Sequence, residues 1–302
     1  MKKMSAKRHP VLTALAVLVL VALFLGGIML IVLVFFERPS SLSFGNKIGV
    51  IPIEGTILDS EPVLSQLIQF KKEKQIKAII LRINSPGGGV APSQEIYREI
   101  NRTRKTKKVI ASMGSLAASG GYYVASAADK IVANPGTLTG SIGVIMEFIQ
   151  VKELMDKLGL DMEILKSGEF KDIGSPHRKL TERDKALLMG LIDEIRNQFV
   201  DAVVRGRNLP KDKVREIADG RILSGEQAKA LGLVDVLGNF RDAVDLAKDL
   251  TGVEGEVSLV YPKRPRTRLW DLFLEDASGA FQKACRKVLD TRIAYLWSGS
   301  SW

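Results

Sequence analysis

The stretch KAIILRINSPGGG, residues 77–89, has the pattern of a buried β-strand that runs into a glycine turn. Its apolar residues follow one another without alternation, which is typical of a strand covered on both faces of a parallel sheet. Upstream, the β-branched stretch KIGVIPIEGTI (47–57) predicts another strand, and residues 61–75 predict a helix between the two. This order of strand, helix and strand indicates an α/β fold with a parallel sheet and right-handed crossovers.

The same alternation continues downstream of the glycine turn. A helical pattern runs from about Ala91 to Arg104, and KVIASM (108–113) predicts the next strand. It leads into MGSLAASGGYYVASAAD (113–129), where Ser119 stands among small residues and just ahead of two tyrosines. Loops at the carboxyl ends of parallel strands meet along one edge of the sheet. We therefore expect both glycine-rich turns, and any functional site, at that edge.

The rest of the body extends the α/β pattern up to a proline-rich boundary at 262–265. Thr181 and Asp184 fit a capping box that begins a long amphipathic helix reaching Arg205. The other predicted elements are a strand at 129–135, a turn at 136–145, a helix near 151–158, a strand at 162–172, and further α/β elements at 220–235 and 240–250.

The N-terminus carries an uncharged apolar run from Val11 to Phe36, longer than the ~20 residues that cross a bilayer. Basic residues precede this run, so the positive-inside rule places the N-terminus in the cytoplasm. We expect a basic cytoplasmic arm (1–10), a single transmembrane anchor (11–36) in the cytoplasmic membrane, and an extracytoplasmic body. A cleaved signal peptide is the alternative, but the run exceeds its usual apolar core of ~7–15 residues.

The net charge of +10 lies mainly outside the body. Four basic residues in the arm contribute +4, and the C-terminal tail (262–302), with eight basic and four acidic residues, contributes another +4. Basic segments of this kind fit anionic lipid or simple solvation, so no nucleic-acid partner is expected. Aromatic residues in the tail could also dock in a groove of a neighbouring copy; they are Trp270, Phe273, Trp297 and Trp302.

Ser119 has two interpretations: a packing turn of small residues, or a nucleophile on a tight strand-to-helix turn. A nucleophilic serine needs a base. His9 lies on the cytoplasmic side of the anchor, which leaves His177 as the histidine of a Ser-His-Asp triad. Lys171, in SGEFKD, is the candidate for a Ser-Lys pair, in which the lysine must be neutral to accept a proton. The residue types alone leave both bases open.

The glycines of NSPGGG (84–89) follow a strand, where bare N–H groups can approach a developing oxyanion. The N–H of Gly120 would be the second donor, as in a nucleophile elbow, with Ala117 in place of the first glycine of that motif. No metal or nucleotide motif accompanies these turns. Cys285 is the single cysteine, and no glycine turn is followed by Lys-Ser/Thr, so no cofactor is expected.

Four motifs in order, LRINSPGGG, MGSLAASGGYY, LTGSIGVI and SGEFKDIGSP, resemble the bacterial signal peptide peptidase A family. The resemblance covers roughly residues 47–250. It implies a membrane-bound Ser-Lys protease with the Clp protease/crotonase fold, a parallel sheet of repeated ββα-type units, in a protease domain at 47–261. By motif it makes Ser119 the nucleophile, Lys171 the general base and Ser141 the partner that orients the base. The oxyanion hole is then lined by N–H groups of Gly87, Gly88 and Gly120.

The resemblance also implies a ring-shaped homo-oligomer in which adjacent subunits contribute the serine and the lysine of one site. The implied substrates are hydrophobic peptides, namely remnant signal peptides, with small or apolar side chains next to the cleaved bond. Three alternatives remain open. They are a stomatin-type Ser-Lys membrane protease acting on a hydrophobic partner protein, a crotonase-like acyl-CoA enzyme, and a non-catalytic membrane scaffold of crotonase-like fold.

Overall fold

The computed structural model describes residues 10–36, 45–262 and 293–296. The chain divides into two units, Met1–Phe44 and Gly45–Trp302. The first unit contributes helix α1 (Pro10–Phe36), whose side chains are described at positions 14, 15 and 17–30 and are exposed. Over the residues described, no helix is long and apolar enough to cross a membrane, so the anchor expected at 11–36 is not confirmed.

The second unit is built on a mainly parallel sheet, as predicted. Its strands β10, β1, β2, β4, β5 and β9 lie side by side in that order, and all of these pairs are parallel. β6 extends the ladder along β4, and β8 pairs with β6 antiparallel. The described strands are β1 (Lys47–Glu54), β2 (Ile76–Ser85), β3 (Gly87–Gly89), β4 (Lys108–Ala118), β5 (Lys130–Ala133), β6 (Leu138–Gly140), β7 (Ile145–Met146), β8 (Ile222–Ser224), β9 (Val236–Leu237), β10 (Ser258–Val260) and β11 (Ile293–Leu296).

Helices cover both faces of this sheet. On β2, Ile79 and Leu81 pack into a large core with the helices of one face, while Ile80 packs into a smaller core against α9 on the other. Burial on both sides explains why the apolar run of β2 is continuous. The helices of this unit are α2 (Glu61–Lys72), α3 (Val90–Thr103), α4 (Gly120–Ser126), α5 (Lys152–Lys157), α6 (Glu182–Arg207), α7 (Lys211–Glu216), α8 (Gly225–Ala230) and α9 (Phe240–Thr251).

The capping box predicted at the start of α6 is confirmed. The Thr181 hydroxyl accepts a hydrogen bond from the Asp184 N–H, and the Asp184 carboxylate accepts one from the Thr181 N–H. Two orphan donors of the first helical turn are satisfied in this way. A left-handed Asn208 (φ 52°) follows the last helical residue.

The strand predicted at 162–172 is wrong. The segment is irregular up to a 3₁₀ turn at Glu169–Asp172, and no described strand pairs with it. Its apolar side chains face outward, with Leu165 92% exposed. A strand needs a neighbouring backbone to satisfy its N–H and C=O groups, and none of the described strands supplies one here.

The glycine turn predicted after β2 is also different in the structure. Gly87–Gly89 is extended and forms β3, the edge of a second, antiparallel sheet in the order β3, β11, β7. The middle strand of this sheet, β11, comes from the segment that the sequence sets apart as the basic tail. The rest of that tail lies outside the described residues, including Trp270, Phe273, Trp297 and Trp302.

Candidate active site

Ser119 occupies a tight turn between a strand and a helix, as expected of an elbow. It directly follows β4 and precedes the first residue of α4, and it is 1% exposed. Its φ of 53° and ψ of −118° lie outside the regions that residues with a Cβ ordinarily adopt. Two backbone hydrogen bonds hold this conformation: its N–H donates to the Gly140 carbonyl, and its carbonyl accepts from Tyr123.

The register of β4 and β6 brings Ser141 next to Ser119. Ala118 pairs with Gly140 at the ends of these parallel strands, and each strand is followed directly by one of the two serines. Ser141 also has a positive φ, 49°, and its N–H donates to the Arg221 carbonyl. Neighbouring strands lie about 4.8 Å apart, which places the two hydroxyl groups at the same sheet edge.

Gly87, Gly88 and Gly120 also meet at this edge. Ile57 engages one side of β3, since its N–H donates to the Gly87 carbonyl and its carbonyl accepts from the Gly89 N–H. Gly88 therefore directs its N–H to the opposite side, toward β11, because successive residues of a strand alternate in direction. The N–H of Gly120 begins α4 and has no acceptor inside that helix.

A peptide carbonyl already lies between these two N–H groups. Tyr295 of β11 pairs with Gly88, and a Cβ built on Gly120 would lie 3.1 Å from both the Gly88 nitrogen and the Tyr295 carbonyl oxygen. A Cβ on Gly87 would lie 2.0 Å from the same carbonyl oxygen. Only glycine leaves this approach open, which gives the glycine motif a physical reason.

A cavity of about 370 Å³ opens in front of the two serines. Leu296, the residue after the carbonyl, also lines it, so the Tyr295–Leu296 peptide bond extends from the glycines toward Ser119. Two carboxylates line the cavity as well. Asp193 is paired with Arg196, and hydrogen bonds from Arg221 lower the pKa of Asp219 to about 2. Both are therefore committed to arginines and do not provide a free base.

The two candidate bases lie elsewhere on the chain. Lys171 is exposed in the 3₁₀ turn and does not line the cavity, and its side chain has no hydrogen bond or ion pair with other described residues. The ring of His177 contacts the Met155 sulfur and does not line the cavity either. In the described part of a single chain, no lysine or histidine lines this cavity.

Arg178 ties the turn that carries Lys171 to the start of α6. Its guanidinium donates two hydrogen bonds of 2.9 Å to Asp172 and a further one to Asp184. These bonds hold the pKa of Asp172 far below its ordinary value of 3.8 and lower that of Asp184 to about 2. The lysine therefore projects from a fixed turn.

An aromatic cluster that sequence analysis did not predict lies beside Ser119, and it is formed by Tyr97, Tyr123, Phe199 and Tyr295. Tyr295 is fully buried; its ring stacks on Tyr123 at 5.1 Å and packs against Phe199 at 4.7 Å between ring centroids. Its hydroxyl donates to the Ile195 carbonyl at 3.2 Å. Burial raises the pKa of Tyr123 to about 12 and that of Tyr295 further, so both hydroxyls remain donors. In the sequence, only Tyr122 and Tyr123, which follow Ser119 and its two glycines, pointed to aromatic packing near this turn.

Within the described ranges, no group of three or more His, Cys, Asp or Glu side chains is arranged to hold a metal ion.

Comparison with known proteins agrees with this geometry. The model of peptidase family S49 matches residues 101–254, and that of Clp protease matches 49–137. A Synechocystis protein with a provisional protease name is 42% identical over 72% of this chain and 78% of its own length.

Two further relatives are longer than the matched region. An Enterococcus faecium protein provisionally named signal peptide peptidase SppA is 40% identical over 61% of this chain and 54% of its own length. The chloroplastic serine protease SPPA of Arabidopsis thaliana is 36% identical over 74% of this chain and 34% of its own length. The chain thus spans about half the length of the Enterococcus relative and about a third of the length of the Arabidopsis relative. The chain belongs to peptidase family S49 and is a serine protease.

Proposed function

We propose that the protein is a membrane-anchored endopeptidase that uses Ser119 as nucleophile and Lys171 as general base. Its substrates are remnant signal peptides at the outer side of the cytoplasmic membrane. The observation that carries the proposal is the Tyr295 carbonyl, which lies between the N–H groups of Gly88 and Gly120 beside Ser119. A substrate carbonyl in the same position would have both oxyanion donors and the nucleophile within reach.

The reaction then has two steps. Ser119 Oγ bonds to the carbonyl carbon and gives its proton to neutral Lys171, while the N–H groups of Gly88 and Gly120 stabilise the oxyanion. The C–N bond breaks as the amine leaves with that proton. Water next attacks the acyl-enzyme and gives a proton to the lysine. The ester C–O bond then breaks, Ser119 Oγ takes that proton back, and the acid is released. Ser141 accepts or donates a hydrogen bond to the lysine amine and orients it without adding charge.

We assign Lys171 to the site of an adjacent subunit in a homo-oligomeric ring. Its exposure, its lack of partners and its distance from the cavity lining support this assignment. The neighbouring segment exposes a strip of large apolar side chains that a second copy would cover. They are Ile149, Leu154, Leu158, Leu160, Met162, Ile164 and Leu165.

Membrane anchoring and the peptide class rest on the N-terminal run. The described side chains of α1 are apolar and exposed on all sides, and a helix apolar all round is buried in a protein core or in lipid. An enzyme held at the membrane surface meets apolar peptides that partition into lipid. The name of the Enterococcus relative, signal peptide peptidase, agrees with that class.

The first test compares wild type with Ser119→Ala and Lys171→Ala on a fluorogenic signal-sequence peptide. We expect kcat to fall by about 10⁴-fold or more in both, because either loss disables the same dyad. Ser65→Ala and Lys74→Ala are matched controls on exposed sites outside this apolar strip and should keep full activity. Activity retained by Ser119→Ala would instead favour the packing turn and a crotonase-like or scaffold role.

A mixing experiment tests the shared site. Co-assembling the two inactive variants should restore about one quarter of wild-type activity, since a site is competent when its serine and its lysine come from the right copies. A ring whose sites were complete within one chain would show no restoration.

A further inference from the structure

We infer that the body of the protease binds a bilayer of anionic lipid through two basic segments at the end of the sheet opposite Ser119. The segments are residues 71–77 (KKEKQIK) and 102–108 (RTRKTKK), which together we call the basic edge. The inference rests on the proposed membrane anchoring and adds the surface by which the body lies against lipid.

Positive charge is concentrated at the basic edge. Its two segments hold nine basic residues and one acidic residue, a net charge of +8. Because the N-terminal arm and the C-terminal tail contribute +4 each to the total of +10, the rest of the chain carries −6. The body is therefore polarised, with one basic end, although its own net charge is small.

The fold joins the two segments into one surface. β2 leaves the first segment and β4 leaves the second, and Ala78 of β2 pairs with Lys108 of β4. The Lys107 amine donates hydrogen bonds to the carbonyls of Glu73 and Ile76, which ties the second segment to the first. The basic side chains therefore share the amino end of the sheet.

Four lysines of the basic edge are exposed and have no ion pair with other described residues. They are Lys72, Lys74, Lys77 and Lys105. Glu99 pairs with Lys71 and Arg102, and Asp129 pairs with Arg104 and Lys108. Favourable contact with a helix dipole accounts for the basic residues in the last turns of α2 and α3, but three of the four lysines lie beyond those turns.

The chain that comes from α1 enters the body at this same edge. β1 begins at Lys47, which pairs with Ile76, and the Lys47 N–H donates to the Gln75 carbonyl at 3.0 Å. Residues 37–46 join α1 to β1, and a chain of this length reaches at most about 36 Å. A bilayer that holds α1 therefore keeps the basic edge near its headgroups, where anionic lipid attracts each lysine and arginine.

The catalytic residues lie at the other end of the same strands. β4 runs from Lys108 to Ala118, a length of about 33 Å, and Ser119 follows it. Contact between the basic edge and lipid thus leaves the catalytic end uncovered. Substitutions at the basic edge should likewise leave the catalytic groups in place.

The test places the full-length protein in nanodiscs of phosphatidylcholine, either alone or mixed with anionic phosphatidylglycerol. An uncharged water-soluble reagent labels lysine amines, and mass spectrometry measures the labelling rate at each position. We expect the four unpaired lysines to be labelled at least about fivefold more slowly in the anionic discs. High salt should remove the difference, because it screens exposed charges. Lys179 and Lys185, exposed on other parts of the body, should be labelled equally in both discs.

A charge variant tests whether these lysines cause the contact. Replacing all four together (Lys72→Gln, Lys74→Gln, Lys77→Gln and Lys105→Gln) should remove the lipid-dependent protection of Lys71 and Lys108. The variant should keep the wild-type kcat/KM for the fluorogenic peptide in detergent. A matched control that removes four exposed basic residues elsewhere should keep the protection; its changes are Lys211→Gln, Lys213→Gln, Arg215→Gln and Arg241→Gln.

The outcomes separate the basic edge from the anchor. Equal labelling of the four lysines in neutral and anionic discs overturns the lipid contact while anchoring stands. Protection that persists in the four-lysine variant, or that follows protein concentration rather than lipid charge, also overturns it and indicates contact with another protein chain. Full-length protein that enters neither kind of disc contradicts the anchoring on which the inference rests.

Discussion

Replacing Tyr295 by Ala should make the enzyme bind peptides more tightly, because β11 competes with substrate for the groove beside β3. A competitor within the chain raises the apparent KM in inverse proportion to the fraction of time that the site is free, and it leaves kcat unchanged. We therefore expect Tyr295→Ala to lower KM for the fluorogenic signal-sequence peptide at the same kcat.

The size of the change follows from the contacts that Tyr295 makes. It is fully buried, has two aromatic neighbours within 5.1 Å, and donates one hydrogen bond. Truncating a buried aromatic residue to Ala costs about 3–5 kcal/mol, which weakens docking of β11 by about 10²- to 10⁴-fold. KM should fall by at least about tenfold, and Tyr295→Phe, which loses only the hydroxyl, by about threefold.

The assay is steady-state cleavage over a range of peptide concentrations, with melting curves to verify that each variant is folded. A KM that is equal in wild type, Tyr295→Phe and Tyr295→Ala would refute the competition, since the graded loss of contacts would then have no effect on the groove. A fall in kcat with KM unchanged would instead make Tyr295 a structural residue of the core.

Three further predictions follow from other contacts. Gly87→Ala should lower kcat/KM by about 100-fold or more, because its Cβ would lie 2.0 Å from the carbonyl oxygen in the site. Gly89→Ala should be tolerated, because its Cβ would lie 3.1 Å from the Pro92 side chain and 3.7 Å from the nearest backbone atom. Arg178→Ala should lower kcat by about 10-fold with little change in KM, since it releases the turn that carries Lys171, and Arg178→Lys should restore part of the loss. The pKa of Asp184 is lowered from 3.8 to about 2, so its stabilising contribution is present above pH 3.8 and is lost as pH falls toward 2. Unfolding measured by urea at several pH values should show a smaller loss of stability in Asp184→Asn than in wild type, since Asp172 and Asp219 still titrate in the variant.

Local motifs predicted the turn that holds Ser119 and the glycines beside it because their signals are short in sequence. The small residues around Ser119 and the glycines after β2 each indicate a backbone conformation that other residues cannot adopt. The parallel order of the strands then brings the two turns to one edge without further information. The pairing of Ala118 with Gly140 places Ser141 there by the same rule.

Contacts between distant segments could not be predicted in this way. The apolar residues of 162–172 have the alternation of a strand, but a pattern does not tell what covers it, and Leu165 is exposed within one chain. The position of Ile293–Leu296 was equally hidden. Its partner strand is three glycines, so the pairing uses backbone groups alone and leaves no side-chain pattern to detect.

That glycine strand also bears on how the enzyme chooses its substrates. Backbone pairing along Gly87–Gly89 holds any extended peptide, because main-chain hydrogen bonds are the same for every sequence. Selection must then come from pockets beside the strand, and the aromatic cluster is the one that directly adjoins Ser119 through Tyr123. A peptide that offers an aromatic ring in register with the two oxyanion donors gains both interactions. It must displace the chain's own Tyr295, which has the same chemistry, so the strength of that internal strand sets the lower limit on how well a substrate must bind.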